Sequence, residues 1–254
     1  MLNQIDIQDI VTIAKEAGNA IMQVYKQDFE VEYKQDNSPL TLADKKANDI
    51  IERGLKQLSV SLPILSEEGN KTPYKERKHW EYFWLIDPLD GTKEFVKKNG
   101  EFTVNIALIH KDTPVLGVVY APALDICYWA RQGEGAFKDG QKLPLKIKEQ
   151  HNTYKIVISR SHMSNKTQEF IDAIDTSKEK ELVSIGSSLK ICLVAEGKAD
   201  IYPRLGSTME WDTGAAHAVV NESKSELQSY NNGRYLKHKY NKESLLNQWF
   251  VVHS

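Results

Sequence analysis

An apolar run, WLI at residues 84–86, meets two acids, Asp87 and Asp90, with Pro88 and Leu89 between them and Gly91-Thr92 after them. No other stretch restricts the folding of this chain so much. A run this apolar belongs in a buried strand. A buried carboxylate is costly unless it is paired or holds a metal. The fold must therefore bring something to the end of that strand that neutralises two acids.

Other acids share the setting, each where an apolar element meets a turn or a helix start: Asp44 in SPLTLAD, Glu67-Glu68 after LPIL, and Asp212 in MEWDTGAA. Taken singly they have ordinary explanations. Asp44 suits a helix N-terminus, Asp212 an N-cap, and Glu67-Glu68 a solvated loop. Taken with Asp87 and Asp90 they make an oxygen-rich set of the kind that holds Mg²⁺, a hard ion that takes carboxylate and carbonyl oxygen and keeps waters. No His or Cys lies beside them in sequence, which argues against zinc. Gly91 and Thr92 turn the chain and free backbone N–H groups for an anion. Metals plus free N–H groups make a phosphate site and point to phosphoryl transfer. Phosphatases of the haloacid-dehalogenase type, which use a nucleophilic aspartate, also end a strand with Asp-x-Asp-Gly-Thr. Here the acids are one residue further apart, and the motif lies a third of the way along the chain, behind two helical segments.

The 254 residues allow one large or two small domains, with 41% hydrophobic and 27% charged residues as in an ordinary globular protein. A formal net charge of −2 argues against bulk-charge binding to nucleic acid polymers or membranes. Cys127 and Cys192 lie in apolar sequence and read as buried free thiols. The N-terminal stretch lacks the features of a signal peptide, and no run approaches about 18 apolar residues. A cytoplasmic protein is expected.

Periodicity predicts amphipathic helices over 6–26 and 41–58, the second capped by Thr41, with a short strand over 29–35 between them. Strands are expected at 62–65, at YFWLID, and at 102–110, 114–122 and 125–132, then a hairpin over 133–141. KTPYKERKH, residues 71–79, reads as a charged, solvated connection. From 153 onward strands (154–161, 181–186, 199–204) alternate with helices (165–174, 188–197, 211–223), which suggests an α/β layer. The charged stretch 142–152 marks the expected boundary between an α+β domain, 1–150, and an α/β domain, 151–254.

Asp-Pro-Leu-Asp-Gly-Thr at 87–92, preceded by Ser-Glu-Glu-Gly at 66–69 and SPLTLAD at 38–44, and followed by Trp-Asp-Thr-Gly-Ala-Ala at 211–216, resembles the inositol monophosphatase superfamily of Mg²⁺-dependent, lithium-sensitive phosphatases. The resemblance covers nearly the whole chain, and no metal position departs from the pattern. Within the superfamily, GSSLK at 186–190, running on through ICLVAEGKADIYPR to Arg204, and SRSH at 159–162 are similar to the bacterial bisphosphate nucleotidases.

The resemblance implies a layered αβαβα sandwich. It implies hydrolysis of adenosine 3′,5′-bisphosphate to AMP and phosphate, clearing a by-product of sulfate assimilation. By the same resemblance Glu67, Asp87, the Leu89 carbonyl, Asp90 and Asp212 are ligands for two or three Mg²⁺, with Pro88 shaping the turn. Asp44 and Thr92 orient and deprotonate the attacking water. Glu67, Leu89, Asp90, Gly91, Thr92 and Asp212 face the substrate's reacting phosphate. Lys190 and Arg204 meet the second phosphate, with Ser159, His162 and Gly186 nearby. From sequence alone Lys190 also reads as a solvated helix-end lysine and His162 as a surface histidine. An inositol or sugar phosphate monoesterase of the same fold is the alternative activity, and a non-catalytic nucleotide-binding regulator the alternative class. Relatives leave open a homodimer and a peripheral place at the cytoplasmic face of the inner membrane.

Overall fold

The computed structural model describes residues 1–26, 31–33, 39–145, 152–160 and 163–254, with the backbone alone at 31–33 and 39–41. Helix α1 (Ile7–Tyr25) starts where the Asp6 side chain accepts from Gln8 N at 2.9 Å. Strand β1 (Val31–Tyr33) pairs antiparallel with β2 (Pro39–Thr41). The rest of the strand expected over 29–35, and the Thr41 cap, lie outside the described residues and side chains. Helix α2 (Leu42–Lys56) buries Ala43, Ala47, Ile51 and Leu55, and packs with the stripe of α1.

Next come β3 (Ile64–Ser66), α3 (Tyr74–Arg77), β4 (Tyr82–Asp90), α4 (Thr92–Val96), β5 (Thr103–His110), β6 (Thr113–Ala121), β7 (Ile126–Arg131), β8 (Gly135–Lys138) and β9 (Gln141–Lys142). The strands β3 to β9 lie in chain order in one sheet. Only β3 and β4 run parallel. Trp84, Ile86, Val104, Ile106 and Leu108 face α1 and α2, while Phe83, Leu85, Ala107 and Ile109 face the other way, as the two-residue period of a strand requires. The connection expected to be solvated is not wholly so. Its α3 buries Arg77, which donates to Asn241 Oδ1 and the Glu243 carbonyl at 2.8 Å each.

The remaining elements are β10 (Thr153–Ser159), α5 (Asn165–Asp172), β11 (Glu179–Ile185), α6 (Leu189–Ala195), β12 (Ile201–Arg204), α7 (Glu210–Asn221), β13 (Glu226–Asn231), β14 (Arg234–Lys237) and β15 (Phe250–His253). Their strands form a second sheet in the order β11-β10-β12-β15-β13-β14. The last three strands lie beyond the elements that periodicity predicted. Helices α6 and α7 fill the space between the sheets, where Leu189, Cys192, Trp211 and Ala215 join Leu85 and Ala107 to Phe250 and Val252. Helix α5 covers the far face through Ile171, against Ile156, Ile201 and Val251. The layers run α, β, α, β, α, as the resemblance implied. No helix among the described residues is long and apolar enough to cross a membrane.

Helix α7 lies unusually close to the first sheet. A Cβ on Gly117 of β6 would stand 2.2 Å from the Ala215 carbonyl oxygen and 2.8 Å from Ala218 Cβ. The small residues of Gly-Ala-Ala-His-Ala allow this approach, which fixes the depth of Asp212. Gly117→Ala should therefore cost about 1–3 kcal/mol through overpacking. Chemical denaturation should show a lower midpoint with an unchanged slope. An unchanged midpoint would mean that α7 can retreat.

Candidate active site

The two acids of β4 are brought together by a bulge. Asp87 pairs with Asn105 and Asp90 with Thr103, so three steps along β4 answer two along β5. In a regular strand positions 87 and 90 point to opposite faces. The extra residue cancels that alternation, and both acids line one cavity. Pro88 has no N–H for the ladder to lose, and Leu89 N turns back to donate to Asp87 Oδ1 at 3.1 Å. The acids thus stand within a bulged strand, not after its end. Gly91 follows at φ 92°, a left-handed conformation that suits glycine. Thr92 opens α4 and its hydroxyl donates to the Leu89 carbonyl at 3.4 Å.

Glu67 and Asp212 arrive from two other elements. The Glu67 N–H donates to the Ile86 carbonyl at 3.2 Å, carrying the β3–β4 pairing past Ser66 and setting Glu67 beside Asp87. Asp212 lies in the first turn of α7, where its Oδ2 accepts from Met209 N at 2.9 Å. Asp212 is thus the third residue of the helix, closing back on the N-cap Met209 rather than standing at the N-cap position expected of it, and it also lines the cavity.

Carboxylate oxygens of Glu67, Asp87 and Asp212 lie within 4.8 Å of one another. Burial pushes the Asp87 carboxyl well above its ordinary range, and the charges of Glu67, Asp90, Asp212 and Asp44 push it further. Burial raises Asp212 in the same way, with Asp90 and Glu67 adding to it. Burial also raises Asp90, although Lys190 and hydrogen bonds from Ser188 oppose the shift. Protons resist leaving because the anions repel in a dry place. An oxygen-only set under such strain fits a hard divalent cation, and the residues present suit one. Asp44 stands apart from the cavity lining. It is buried in the first turn of α2 and reaches the cluster through its charge on Asp87.

The other side of the cavity, whose volume is about 290 Å³, is cationic. Lys190 comes from the first turn of α6 and Arg204 from the end of β12, with Ser159 and Gly186 beside them. Burial lowers Lys190 to about 8, against the pull of Asp90, and Arg204 lowers it too. Its ammonium lies 6.0 Å from the centre of the Tyr202 ring. Arg204 is steadied by donating Nη2 to the Ser207 carbonyl at 2.9 Å. His162 lies outside the described residues. Every other expected residue except Asp44 lines the cavity.

Ser188 escaped sequence reasoning. It is buried, and its Oγ accepts from Asn105 Nδ2 at 2.9 Å. The same Oγ stands 2.9 Å from Asp90 Oδ2 and 2.7 Å from the Asp212 carbonyl, within donating reach of both. It thus ties β4, β5 and α7 together beneath the cavity. The GSSLK motif held the signal, but nothing local said which serine mattered.

Carboxylates and the turn at Gly91-Thr92 on one wall, with two cations on the other, suit an ester that carries more than one anionic group. The inositol monophosphatase family profile matches residues 3–247. The 3′(2′),5′-bisphosphate nucleotidase CysQ of Salmonella typhimurium is 45% identical over 250 residues, 97% of this chain and 98% of that protein. Its Escherichia coli counterpart of the same name is 44% identical over the same shares. The crystal structure of CysQ from Bacteroides thetaiotaomicron is similar at a TM-score of 0.88 and 41% identity, covering 99% of this chain and 97% of that one. With the bulged acidic strand and the five layers already in place, the match over nearly the whole length means that this chain belongs to the inositol monophosphatase family.

Proposed function

We propose that this chain is a phosphomonoesterase that hydrolyses adenosine 3′,5′-bisphosphate to AMP and phosphate. The observation that carries this reading is the meeting of a carboxylate cluster with Lys190 and Arg204 across one cavity. A monophosphate needs only the carboxylate wall, whereas a bisphosphate uses both. Relatives that bear the nucleotidase name over 97% of this chain support the same reading.

Glu67, Asp87, the Leu89 carbonyl, Asp90 and Asp212 would hold two or three Mg²⁺. Bound Mg²⁺ supplies charge screening, a more acidic water and stabilisation of the leaving oxygen. The chain's own groups do the rest. Backbone N–H groups at Gly91 and Thr92 orient the reacting phosphate. The Thr92 hydroxyl and Asp44 align the water and take up its proton, so the attack is direct and in line, without a phospho-enzyme. Lys190 and Arg204 hold the other phosphate. On this reading residues 1–150 carry most of the metal ligands, and residues 151–254 the nucleotide-recognising groups and Asp212. Two buried free thiols fit a reducing, cytoplasmic setting.

Phosphate release with Mg²⁺ should favour adenosine 3′,5′-bisphosphate over inositol 1-phosphate by about 100-fold in kcat/KM, the worth of a charge-assisted contact of about 3 kcal/mol. Equal rates, or a preference for the sugar phosphate, would overturn the nucleotide reading. Lys190→Ala should cost the bisphosphate about 10- to 100-fold. The same change should leave inositol 1-phosphate hydrolysis within about threefold, because that substrate has no second phosphate.

The raised pKa of Asp87 gives a stability test with no turnover in it. Its folded-state pKa exceeds the unfolded one, so its stabilising contribution is present at low pH and is lost as pH rises through the folded value. In metal-free protein, Asp87→Asn should therefore raise Tm more at pH 8 than at pH 5. A variant that melts lower at pH 8 would count against the repelling cluster.

A further inference from the structure

Glu101 stands where the two walls of the cavity meet, in the loop between α4 and β5. Its carboxylate accepts a bidentate pair from Arg160, Nε at 2.9 Å and Nη2 at 2.7 Å. It also accepts from the backbone N–H of Gly186 at 2.8 Å. Its carbonyl oxygen would lie 2.7 Å from a Cβ on Gly186 and 3.2 Å from a Cβ on Gly91. One residue therefore packs between the glycine that precedes the Thr92 turn and the glycine that begins the Gly186–Lys190 limb. Arg160 follows Ser159 of the cavity lining and extends the tie by donating Nη2 to the Ser184 carbonyl at 3.0 Å. The Glu101 side chain is 17% exposed, whereas that of Arg160 is 43% exposed. A loop acid that only solubilised the surface would not be covered and aimed at a buried peptide N–H.

We propose that Glu101 is a positioning residue that sets the spacing between the Gly91-Thr92 turn and the Gly186–Lys190 limb, and hence between the two phosphate subsites. The inference rests on the reading that the substrate carries two phosphates. A substrate that spans both walls needs their spacing held. One that uses the carboxylate wall alone does not. Glu101→Gln keeps the shape but removes the charge that holds Arg160 and Gly186 together.

The test compares Glu101→Gln with wild type in full steady-state kinetics on adenosine 3′,5′-bisphosphate and on inositol 1-phosphate, with amide hydrogen exchange read over residues 184–190. KM for the bisphosphate should rise about tenfold, the scale of one lost charge-assisted bond, with kcat within about twofold. Inositol 1-phosphate kinetics should shift less than about threefold, and exchange over 184–190 should quicken without a drop in overall Tm. Arg160→Ala should reproduce the selective KM effect. Equal losses on both substrates would make Glu101 a mere support of the fold and overturn the proposal, as would no change on either. If wild type itself shows no nucleotide preference, it is the function reading that fails. Positioning by Glu101 is then upheld by faster exchange over 184–190 in the variant and overturned by unchanged exchange.

Discussion

Carboxylates that repel one another in a buried place set the terms for everything around them. At 4.8 Å, the span within which Glu67, Asp87 and Asp212 gather, two ionised acids oppose each other by roughly 3 kcal/mol at an effective dielectric of about 20. Left to relax, such groups would part. They are held because each comes from a different rigid element. Asp87 belongs to a strand inside a seven-stranded sheet, Glu67 to the end of its parallel neighbour, and Asp212 to a helix clamped between two sheets. The glycine contact at position 117 lets that helix come near enough for Asp212 to join the others. Apolar packing on both faces of the first sheet thus does the holding, and it leaves a buried set of carboxylates that suits a hard cation.

What could be read in the sequence follows from how local each signal is. Helices α1, α2, α5, α6 and α7 announced themselves because their apolar residues recur turn by turn, whereas α3 and α4, of four and five residues, are too short to show a period. The layer count came from resemblance, since no periodicity tells which face meets which. The bulge between Asp87 and Asp90 was hidden because it is a property of two strands in register. Ser188 was hidden for the same reason: its partner Asp90 is 98 residues away. Strand β14 is exposed at all four positions and so carries no alternation to detect. Arg77 misled, because a residue in a lysine-rich stretch looks solvated until Asn241 and Glu243, more than 160 residues on, take its donors.

The cavity joins two halves whose contact must not slide. An apolar seam tolerates small shifts, because dispersion has no direction. Hydrogen bonds weaken steeply off axis, so a polar seam fixes register. Near the cavity the seam is polar: Asn105 donates to Ser188, and Glu101 receives Gly186 and Arg160. Away from the cavity the seam turns apolar, with Val119 and Ala121 of the first sheet in one cluster with Leu227 and Val252 of the second.

Helix α6 shows why this matters for Lys190. Ser188 ties down its start, and Glu196 its end. Glu196 is fully buried, yet hydrogen bonds from Lys138 at 2.8 Å and the Tyr128 hydroxyl, with an ion pair to Lys198 at 2.7 Å, surround it. Burial pushes its carboxyl up, but those three partners outweigh burial and hold it below the usual carboxylate range. A buried charge so fully partnered is costly to move, because any shift breaks a charged hydrogen bond before another forms. Pinned at both ends, the helix presents Lys190 at a fixed height against the acids of the first sheet. The lysine can then meet one part of a ligand while the carboxylates meet another.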